Sequence, residues 1–358
     1  MLRTAAYTIS VVGTIVTLAL RVFGADATLT FGLSAVTILA LASVLGHATE
    51  QLGAAAGPRI GGIMNATVGN IGEIIIAGFL IAAGEIEVVQ VSITGSIVGN
   101  LLLVLGASLV VGGLKNGIQS FDAQLTGMNA ASLILATIGL VVPATFAFVI
   151  GGGAQTGAGD RGFSQIESVT VGVAIVLIAT YAAQTYFFFS SPHAPGGHTE
   201  EEVAPEWSPR RSVGVLLVCA AALTAVSEVL VHTLEPTVAA LGVSKLFIGM
   251  ILIPIIGNLA EHIVGVTLAY KNKMDFSLIT SLGSATQIAL FAAPVLVFFS
   301  LAVGQPLTLV FTPLEVVAVA AATFIAAYIA LDGRSNWVEG IQLVSVYVIL
   351  AIAFFYLT

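Results

Sequence analysis

Long apolar stretches recur along the chain and constrain its fold more than any other feature of the sequence. A membrane-spanning helix needs about 20 predominantly apolar residues. The 358-residue sequence contains eleven such stretches, near residues 4–24, 31–52, 60–83, 89–113, 123–150, 165–190, 212–234, 244–270, 276–300, 307–331 and 338–357. Segments this long satisfy their backbone polar groups inside a bilayer only as helices. The sequence therefore predicts an all-α polytopic membrane protein with eleven transmembrane helices.

The composition excludes several other classes of protein. Charged residues make up 8% of the chain, against about 25% in ordinary soluble domains, which argues against a soluble enzyme. The net charge is −8, and the chain has only 11 Lys and Arg residues. It therefore lacks the basic surface that a nucleic-acid partner requires, and the expected surroundings are a lipid bilayer.

Two polar motifs recur at a single offset within this apolar background. Gly-Asn-x-x-Glu occupies residues 69–73 and again 257–261, and Gly-Ser occupies residues 95–96 and again 283–284; both pairs are 188 residues apart. Two independent motifs at one spacing indicate an internal repeat. Each repeat holds five predicted spans, so the two copies cross the membrane in opposite directions. Such inverted repeats are typical of secondary transporters, which bind their cargo between the halves.

The repeat predicts four parts of the chain. Residues 1–30 form a peripheral first transmembrane helix, 31–190 the first five-helix repeat, 191–211 an acidic cytoplasmic linker, and 212–358 the second five-helix repeat. The acidic cluster of the linker is open to two interpretations, a regulatory cation site or a solvated segment.

The basic residues predict the orientation. Eight of the 11 Lys and Arg residues fall in loops on the N-terminal side of the predicted membrane, and three fall on the other side. Because cytoplasmic loops are enriched in basic residues, we expect the N-terminus in the cytoplasm. An odd number of spans places the C-terminus on the opposite side. The plasma membrane is the expected location.

The polar groups of the motifs are all oxygen donors to a metal. Glu73 and Glu261 lie within apolar spans, where a carboxylate is costly and therefore a functional candidate. Asn70 and Asn258 precede them by three residues, on the same helical face. Oxygen ligands with two negative charges suit Ca²⁺. The motif glycines and serines are further candidates to line the site: Gly69, Gly257, Ser96 and Ser284.

Three polar residues break the symmetry between the copies. Asn100 and Gln287 each share a helical face with a motif serine; they are either ligands or interhelical hydrogen-bonding groups. His262 follows Glu261, where the first copy has Ile74. It either relays protons, since histidine titrates near neutral pH, or has a structural role.

Other acidic residues have less specific predictions. Glu50 and Glu228 lie in the first helix of each repeat and either line the mouth of the site or brace helices. Glu315 and Glu339 lie near the starts of their spans, which favours the membrane interface. Glu85 is expected in a solvated loop.

The motifs resemble those of a known family. Besides the paired Gly-Asn-x-x-Glu, the sequence contains Glu261-His262, Gly-Ser-Ala-Thr-Gln at 283–287 and Ser-Asn-Trp-Val-Glu-Gly at 335–340. Over almost its whole length the chain resembles the Ca²⁺/H⁺ exchanger (CAX) family. The resemblance implies that Glu73 and Glu261 bind both Ca²⁺ and H⁺. It also implies that the site is completed or lined by Asn70, Asn258, Ser96, Ser284 and Gln287, with His262 beside it.

The sequence thus predicts a secondary antiporter that exports cytoplasmic Ca²⁺ in exchange for H⁺ by alternating access. No cofactor is expected, the partners are the two ions and the bilayer, and a homo-oligomer is left open. Alternatives are a Na⁺-driven Ca²⁺ exchanger on the same fold and a divalent-cation channel. An intramembrane enzyme is disfavoured because signatures such as His-Glu-x-x-His are absent from the sequence.

Overall fold

The computed structural model describes residues 2–57, 69–150, 161–190 and 205–357. Before the linker, the helices are α1 (Leu2–Val22), α2 (Ala27–Ala56), α3 (Ile71–Ala82), α4 (Ile86–Val98), α5 (Leu105–Asn116), α6 (Ala123–Val149) and α7 (Arg161–Ser190). After the linker they are α8 (Pro209–His232), α9 (Leu234–Leu241), α10 (Lys245–Phe247), α11 (Ile253–Tyr270), α12 (Met274–Gln287), α13 (Ala293–Val303), α14 (Pro313–Ile329) and α15 (Trp337–Tyr356).

Three π-helical segments and one short β-ladder complete the described structure. The π-helical segments are π1 (Gly99–Val104), π2 (Ile248–Leu252) and π3 (Ile288–Ala292). Strand β1 (Gln119–Ser120) pairs antiparallel with β2 (Arg334–Ser335).

The all-α membrane architecture predicted from the sequence is confirmed, but the count of eleven spans is not. Within the described ranges, eight helices are long and apolar enough to cross a bilayer. A ninth span is formed if α9 and the helix that begins at Lys245, which meet at an angle of 115°, count as one. Helices α3 and α14 are apolar but shorter, with 12 and 17 residues. Residues 60–68 of the predicted third span and 191–204 of the linker lie outside the described residues.

The predicted helix over 307–331 begins later than expected. Helix α14 starts at Pro313, a residue favoured in the first helical turn because it has no N–H to leave unpaired. The hydroxyl of Thr312 accepts a hydrogen bond from the Glu315 amide, and the Glu315 carboxylate accepts one from the Thr312 amide. This capping box fixes the start of the helix.

The preceding residues 305–312 have no regular secondary structure. Their backbone groups are partly satisfied by side chains of neighbouring helices. Gln90 Nε2 donates to the Thr308 carbonyl at 2.7 Å, and the Leu309 amide donates to Thr170 Oγ1 at 3.2 Å. Non-helical backbone is tolerated at membrane depth only when it is buried in protein in this way.

Helices α2 and α8, the first of each predicted repeat, run antiparallel. At one end, Arg21 at the end of α1 forms an ion pair of 2.8 Å with Glu228 near the end of α8. At the other end, Gln51 near the end of α2 accepts a hydrogen bond of 2.7 Å from the Glu206 amide, just before α8. Two inverted halves require this antiparallel relation.

Close helix crossings at glycines hold the halves together. A Cβ on Gly340 of α15 would lie 2.6 Å from the carbonyl oxygen of Gly106 in α5. A Cβ on Gly95 of α4 would collide with the backbone of Met250 in π2. Any side chain at these positions would push the backbones apart. Gly340 therefore sets how closely α15 approaches α5, and Gly95 sets how closely α4 approaches the helix that carries the second motif.

Candidate ion-binding site

The two motif carboxylates come from helices that pack against each other near the centre of the protein. Glu73 lies in the first turn of α3, whose N-cap is Asn70, and Glu261 lies in the middle of α11. Asn258, three residues before Glu261 on α11, donates a hydrogen bond to the Glu73 carboxylate. The site is therefore built between the two halves of the sequence.

Each glutamate pairs with the serine of its own repeat. Ser96 Oγ donates to Glu73 Oε1 at 2.5 Å, and Ser284 Oγ donates to Glu261 Oε2 at 2.6 Å. The serine follows its glutamate by 23 residues in both copies. The two halves thus repeat one hydrogen bond as well as one sequence pattern.

The asparagines do not repeat each other's contacts. Asn258 Nδ2 donates to Glu73 Oε1, so the second motif supports the carboxylate of the first. Asn70 Nδ2 donates instead to Gln287 Oε1 at 2.9 Å. The position that corresponds to Gln287 in the first copy is Gly99, which has no side chain to offer. Asn100 Nδ2 donates to Ser284 Oγ at 3.1 Å.

Two buried oxygens of the site lack hydrogen-bond donors among the described residues. They are Asn70 Oδ1 and Glu73 Oε2. Leaving a buried acceptor unpaired costs about 1–3 kcal/mol, and more for a charged group. Both atoms are therefore suited to bind a cation, and the Glu73 oxygen can also take a proton.

A small cavity borders Glu73 and Ser96. Its volume, counted as the space open to the centre of a water molecule, is about 20 Å³, and its other walls are mostly aliphatic. That is room for about one water molecule, or for one ion. No group of three His, Cys, Asp or Glu residues within the described ranges could hold a metal. A cation here would rely on the two carboxylates together with amide, hydroxyl and backbone oxygens, the mixed oxygen set that Ca²⁺ accepts.

Gly257 brings α11 against the first carboxylate. A Cβ at this position would lie 2.8 Å from Glu73 Cγ. Gly257 was predicted to line the site; α11 is helical through this residue, so what the glycine provides is close approach of α11 to Glu73. The irregular backbone is found instead in π2, directly before Ile253 and Pro254.

Gly257→Ala is expected to raise the KM for Ca²⁺ by about tenfold or more, because the added methyl group displaces the Glu73 side chain and overpacking at a site costs roughly 1–3 kcal/mol. Uptake of ⁴⁵Ca²⁺ into proteoliposomes measures the change. Gly283→Ala is the matched control, since a Cβ there meets nothing within 4 Å. An unchanged KM in Gly257→Ala would contradict this account of the glycine.

His262 is buried, with 9% of its surface exposed. It lies one residue beyond Glu261 and so projects about 100° further round α11. Among the described residues, no hydrogen bond ties its ring to a neighbouring helix. A structural role for His262 would need a hydrogen bond to a neighbouring helix, and the described residues provide none.

The peripheral acids lie in different settings. Glu50 is largely exposed, 3.5 Å from His47 on its own helix, whereas Glu228 links α8 to α1 through Arg21. Glu85 was expected in a solvated loop, but it is mostly buried and accepts bonds of 2.9 and 3.0 Å from Lys245. That lysine joins the turn after α3 to the start of α10.

Sequence reasoning missed two features near the site. Glu315 was expected at the interface but is only 1% exposed, with Oε1 2.9 Å from the Thr94 hydroxyl; the capping residue Thr312 signals where the helix starts, and no signal in the sequence shows that this start is buried. The segments π1 and π3 follow the two serine-bearing helices at corresponding positions. Such π-segments are frequent at functional sites, and hydrophobic periodicity does not reveal them.

Comparisons with known proteins agree with the architecture. A family model described as "Sodium/calcium exchanger protein" matches residues 26–190 and 211–356. The Ca²⁺/H⁺ antiporter ChaA of Bacillus subtilis is 41% identical over 333 residues, covering 91% of this chain and 92% of that protein. The vacuolar calcium ion transporter of Schizosaccharomyces pombe is 35% identical over 331 residues, with coverages of 91% and 79%. The solved structure of native YfkE superposes with a TM-score of 0.84 at 36% identity, covering 98% and 100% of the two chains.

Proposed function

Because the chain belongs to the family of sodium/calcium exchanger proteins, we propose that it is a secondary antiporter that exports cytoplasmic Ca²⁺ in exchange for H⁺. The observation that carries the proposal is the pair of partly buried carboxylates, Glu73 and Glu261, each held by a serine of its own repeat. The relatives named as Ca²⁺/H⁺ antiporters support the choice of both ions.

Competition for the same oxygens couples the two ions. Ca²⁺ requires ionised Glu73 and Glu261, and its binding releases the protons that they carry. A protonated pair, in contrast, has no charge left to attract a divalent cation. The site therefore holds either Ca²⁺ or protons at one time.

Alternating access turns this competition into exchange. The loaded site, with either cargo, is neutral or nearly so, whereas the empty site holds two uncompensated charges in an apolar interior, which is costly. The halves rock only when the site is loaded, so one ion leaves only if the other returns. An inward proton gradient then drives Ca²⁺ out of the cytoplasm.

Each motif asparagine has its own role in this proposal. Asn70 is held by Gln287 with its Oδ1 unpaired, so it serves as a Ca²⁺ ligand. Asn258 donates to Glu73 when no cation is bound and turns its own oxygen to Ca²⁺ when one binds. Asn100 orients Ser284 through its hydrogen bond. Gly69 and Gly257 allow the close approach of backbone and helices at the site.

His262 carries protons to and from Glu261. The support is its position next to that glutamate, its burial and the absence of a bonded partner on a neighbouring described helix. Histidine exchanges protons near neutral pH when it is solvated. The movement of the two halves would expose His262 to water in one state and bury it in the other.

The proposed location is the plasma membrane, with the N-terminus in the cytoplasm and the C-terminus opposite. The excess of basic residues in the loops on the N-terminal side supports this orientation. A tag at the N-terminus should be reached by protease in inverted vesicles and protected in right-side-out vesicles; the reverse would overturn the orientation.

The choice of driving ion is tested in proteoliposomes loaded at acidic pH. An inside-acid gradient is expected to drive ⁴⁵Ca²⁺ uptake at least tenfold above the rate without a gradient, because the ratio of proton concentrations for one pH unit is already tenfold. A Na⁺ gradient at equal pH on both sides should drive none. Uptake that depends on Na⁺ alone would favour the Na⁺-driven alternative, and flux that fails to saturate with Ca²⁺ would favour a channel.

A further inference from the structure

Glu315 is a buried carboxyl group that the proposed exchange does not use. It is 1% exposed, and among the described residues no Lys or Arg lies within ion-pair distance of it. Its Oε1 lies 2.9 Å from Thr94 Oγ1, and its Oε2 accepts from the Thr312 amide at 2.9 Å. It therefore joins the start of α14, in the second half of the chain, to the middle of α4, in the first half.

Thr94 lies two residues before Ser96, the residue that holds Glu73. Residues two apart on a helix point to roughly opposite sides. Helix α4 is thus held from one side by Thr94 and Glu315 and from the other by Ser96 and Glu73. Between them, Gly95 packs directly on the backbone of Met250.

These contacts fix the rotation of α4 about its axis. Loss of the contact between Thr94 and Glu315 would free one face of α4. Because Gly95 packs tightly on Met250, α4 would respond by rotating about its axis and not by shifting sideways. Rotation would draw Ser96 Oγ away from Glu73 Oε1, which it now approaches to 2.5 Å.

We infer that Glu315 is a positioning residue for Ca²⁺ binding, which acts through Thr94 to hold Ser96 on Glu73. The inference rests on the proposed function. The second repeat steadies its serine in another way. The position that corresponds to Thr94 is Leu282, a buried residue without a hydroxyl group, and Ser284, which contacts Glu261, is held instead by Asn100 Nδ2 at 3.1 Å.

Three variants separate positioning from charge. Thr94→Val removes the hydroxyl and keeps the shape, and Thr94→Ser keeps the hydroxyl. Glu315→Gln keeps one acceptor for the Thr312 amide and turns its NH₂ group to Thr94 Oγ1, whose own proton then goes to the Val91 carbonyl at 2.9 Å. The matched control is Thr137→Val, which removes the buried 2.8 Å bond between Thr137 and Thr323 that joins α6 to α14.

In proteoliposomes, Thr94→Val is expected to raise the KM for Ca²⁺ about tenfold, the effect of one buried hydrogen bond to a charged group, with the maximal rate little changed. Thr94→Ser, Glu315→Gln and Thr137→Val should keep the wild-type KM and the wild-type pH profile. The double variant Thr94→Val/Glu315→Ala should have the same KM as Glu315→Ala alone, because each substitution removes the same contact between Thr94 and Glu315.

A wild-type KM in Thr94→Val would overturn the inference, as would a raised KM in Thr137→Val. Loss of transport or a shifted pH profile in Glu315→Gln would also overturn it, because the carboxylate would then act through its charge.

The wild-type protein in the same assay tests the proposed function separately. If the wild type exchanges Ca²⁺ for H⁺ and Thr94→Val does so with an unchanged KM, only the positioning role fails. Thermal unfolding of each variant in detergent distinguishes misfolding from weaker binding.

Discussion

Glu73→Gln and Glu261→Gln are each expected to abolish proton-driven Ca²⁺ transport while leaving the protein folded. A glutamine at position 73 can still accept the hydrogen bonds from Ser96 and Asn258 through its Oε1. It replaces the unpaired Oε2 by an amide nitrogen, which cannot bind a cation. The variant therefore removes one charge and one ligand and little else.

The expected loss is large because the site lies within apolar helices and the unpaired Glu73 Oε2 is buried. Removing one partner from a buried charged site costs about 3–5 kcal/mol, which corresponds to a loss of Ca²⁺ affinity of at least about 100-fold. Uptake of ⁴⁵Ca²⁺ into acid-loaded proteoliposomes measures the loss of transport, and equilibrium ⁴⁵Ca²⁺ binding measures the loss of affinity. Unfolding temperatures within a few degrees of wild type would show that the fold is retained.

A matched carboxylate outside the site serves as the control. Asp332 is exposed and accepts a hydrogen bond from the Arg334 amide at 3.1 Å, which the oxygen of an asparagine can also accept. Asp332→Asn should transport at the wild-type rate. Transport at the wild-type rate by either glutamine variant would remove that glutamate from the proposed mechanism.

The repeat offset carried most of the information about the candidate site. Two motifs at one spacing predicted that Ser96 and Ser284 would accompany Glu73 and Glu261, and each serine does lie within hydrogen-bonding distance of the glutamate of its own repeat. The match to the exchanger family confirms the resemblance drawn from the same residues. Polar residues are costly in an apolar sequence, so their pattern is informative.

Contacts between the halves could not be predicted in the same way. The sequence placed Asn70 and Asn258 in equivalent positions, yet one bonds to Gln287 and the other to Glu73. Which asparagine supports which carboxylate depends on how α3 crosses α11, and no local pattern encodes a crossing angle.

Backbone irregularities were the other source of error. Residues 307–312 are as apolar as the helix that follows, so hydropathy extended the predicted span over them. Their backbone is satisfied in part by Gln90 and Thr170, which are more than 130 residues away in the chain. The burial of Glu315 follows from the same segment, because the helix that it begins starts inside the protein.

The KM for Ca²⁺ is expected to rise steeply as the pH falls. For each proton that must leave before Ca²⁺ binds, the apparent KM rises in proportion to the proton concentration. Under acidic conditions, where both glutamates are protonated, one pH unit should therefore change the apparent KM by up to about 100-fold, and by about tenfold where only one proton is displaced. At high pH, where both are ionised before Ca²⁺ arrives, the KM should become constant.

Two measurements on the same sample test this competition. Equilibrium ⁴⁵Ca²⁺ binding across the pH range gives the slope, and a pH indicator in weakly buffered solution gives the number of protons released for each Ca²⁺ bound. The two numbers must agree by linkage, because the slope of affinity against pH is the proton release itself. Binding that is independent of pH and releases no protons would show that the ions do not share Glu73 and Glu261. The buried carboxylates would then hold Ca²⁺ without coupling it to the proton gradient, and exchange would need a separate proton site.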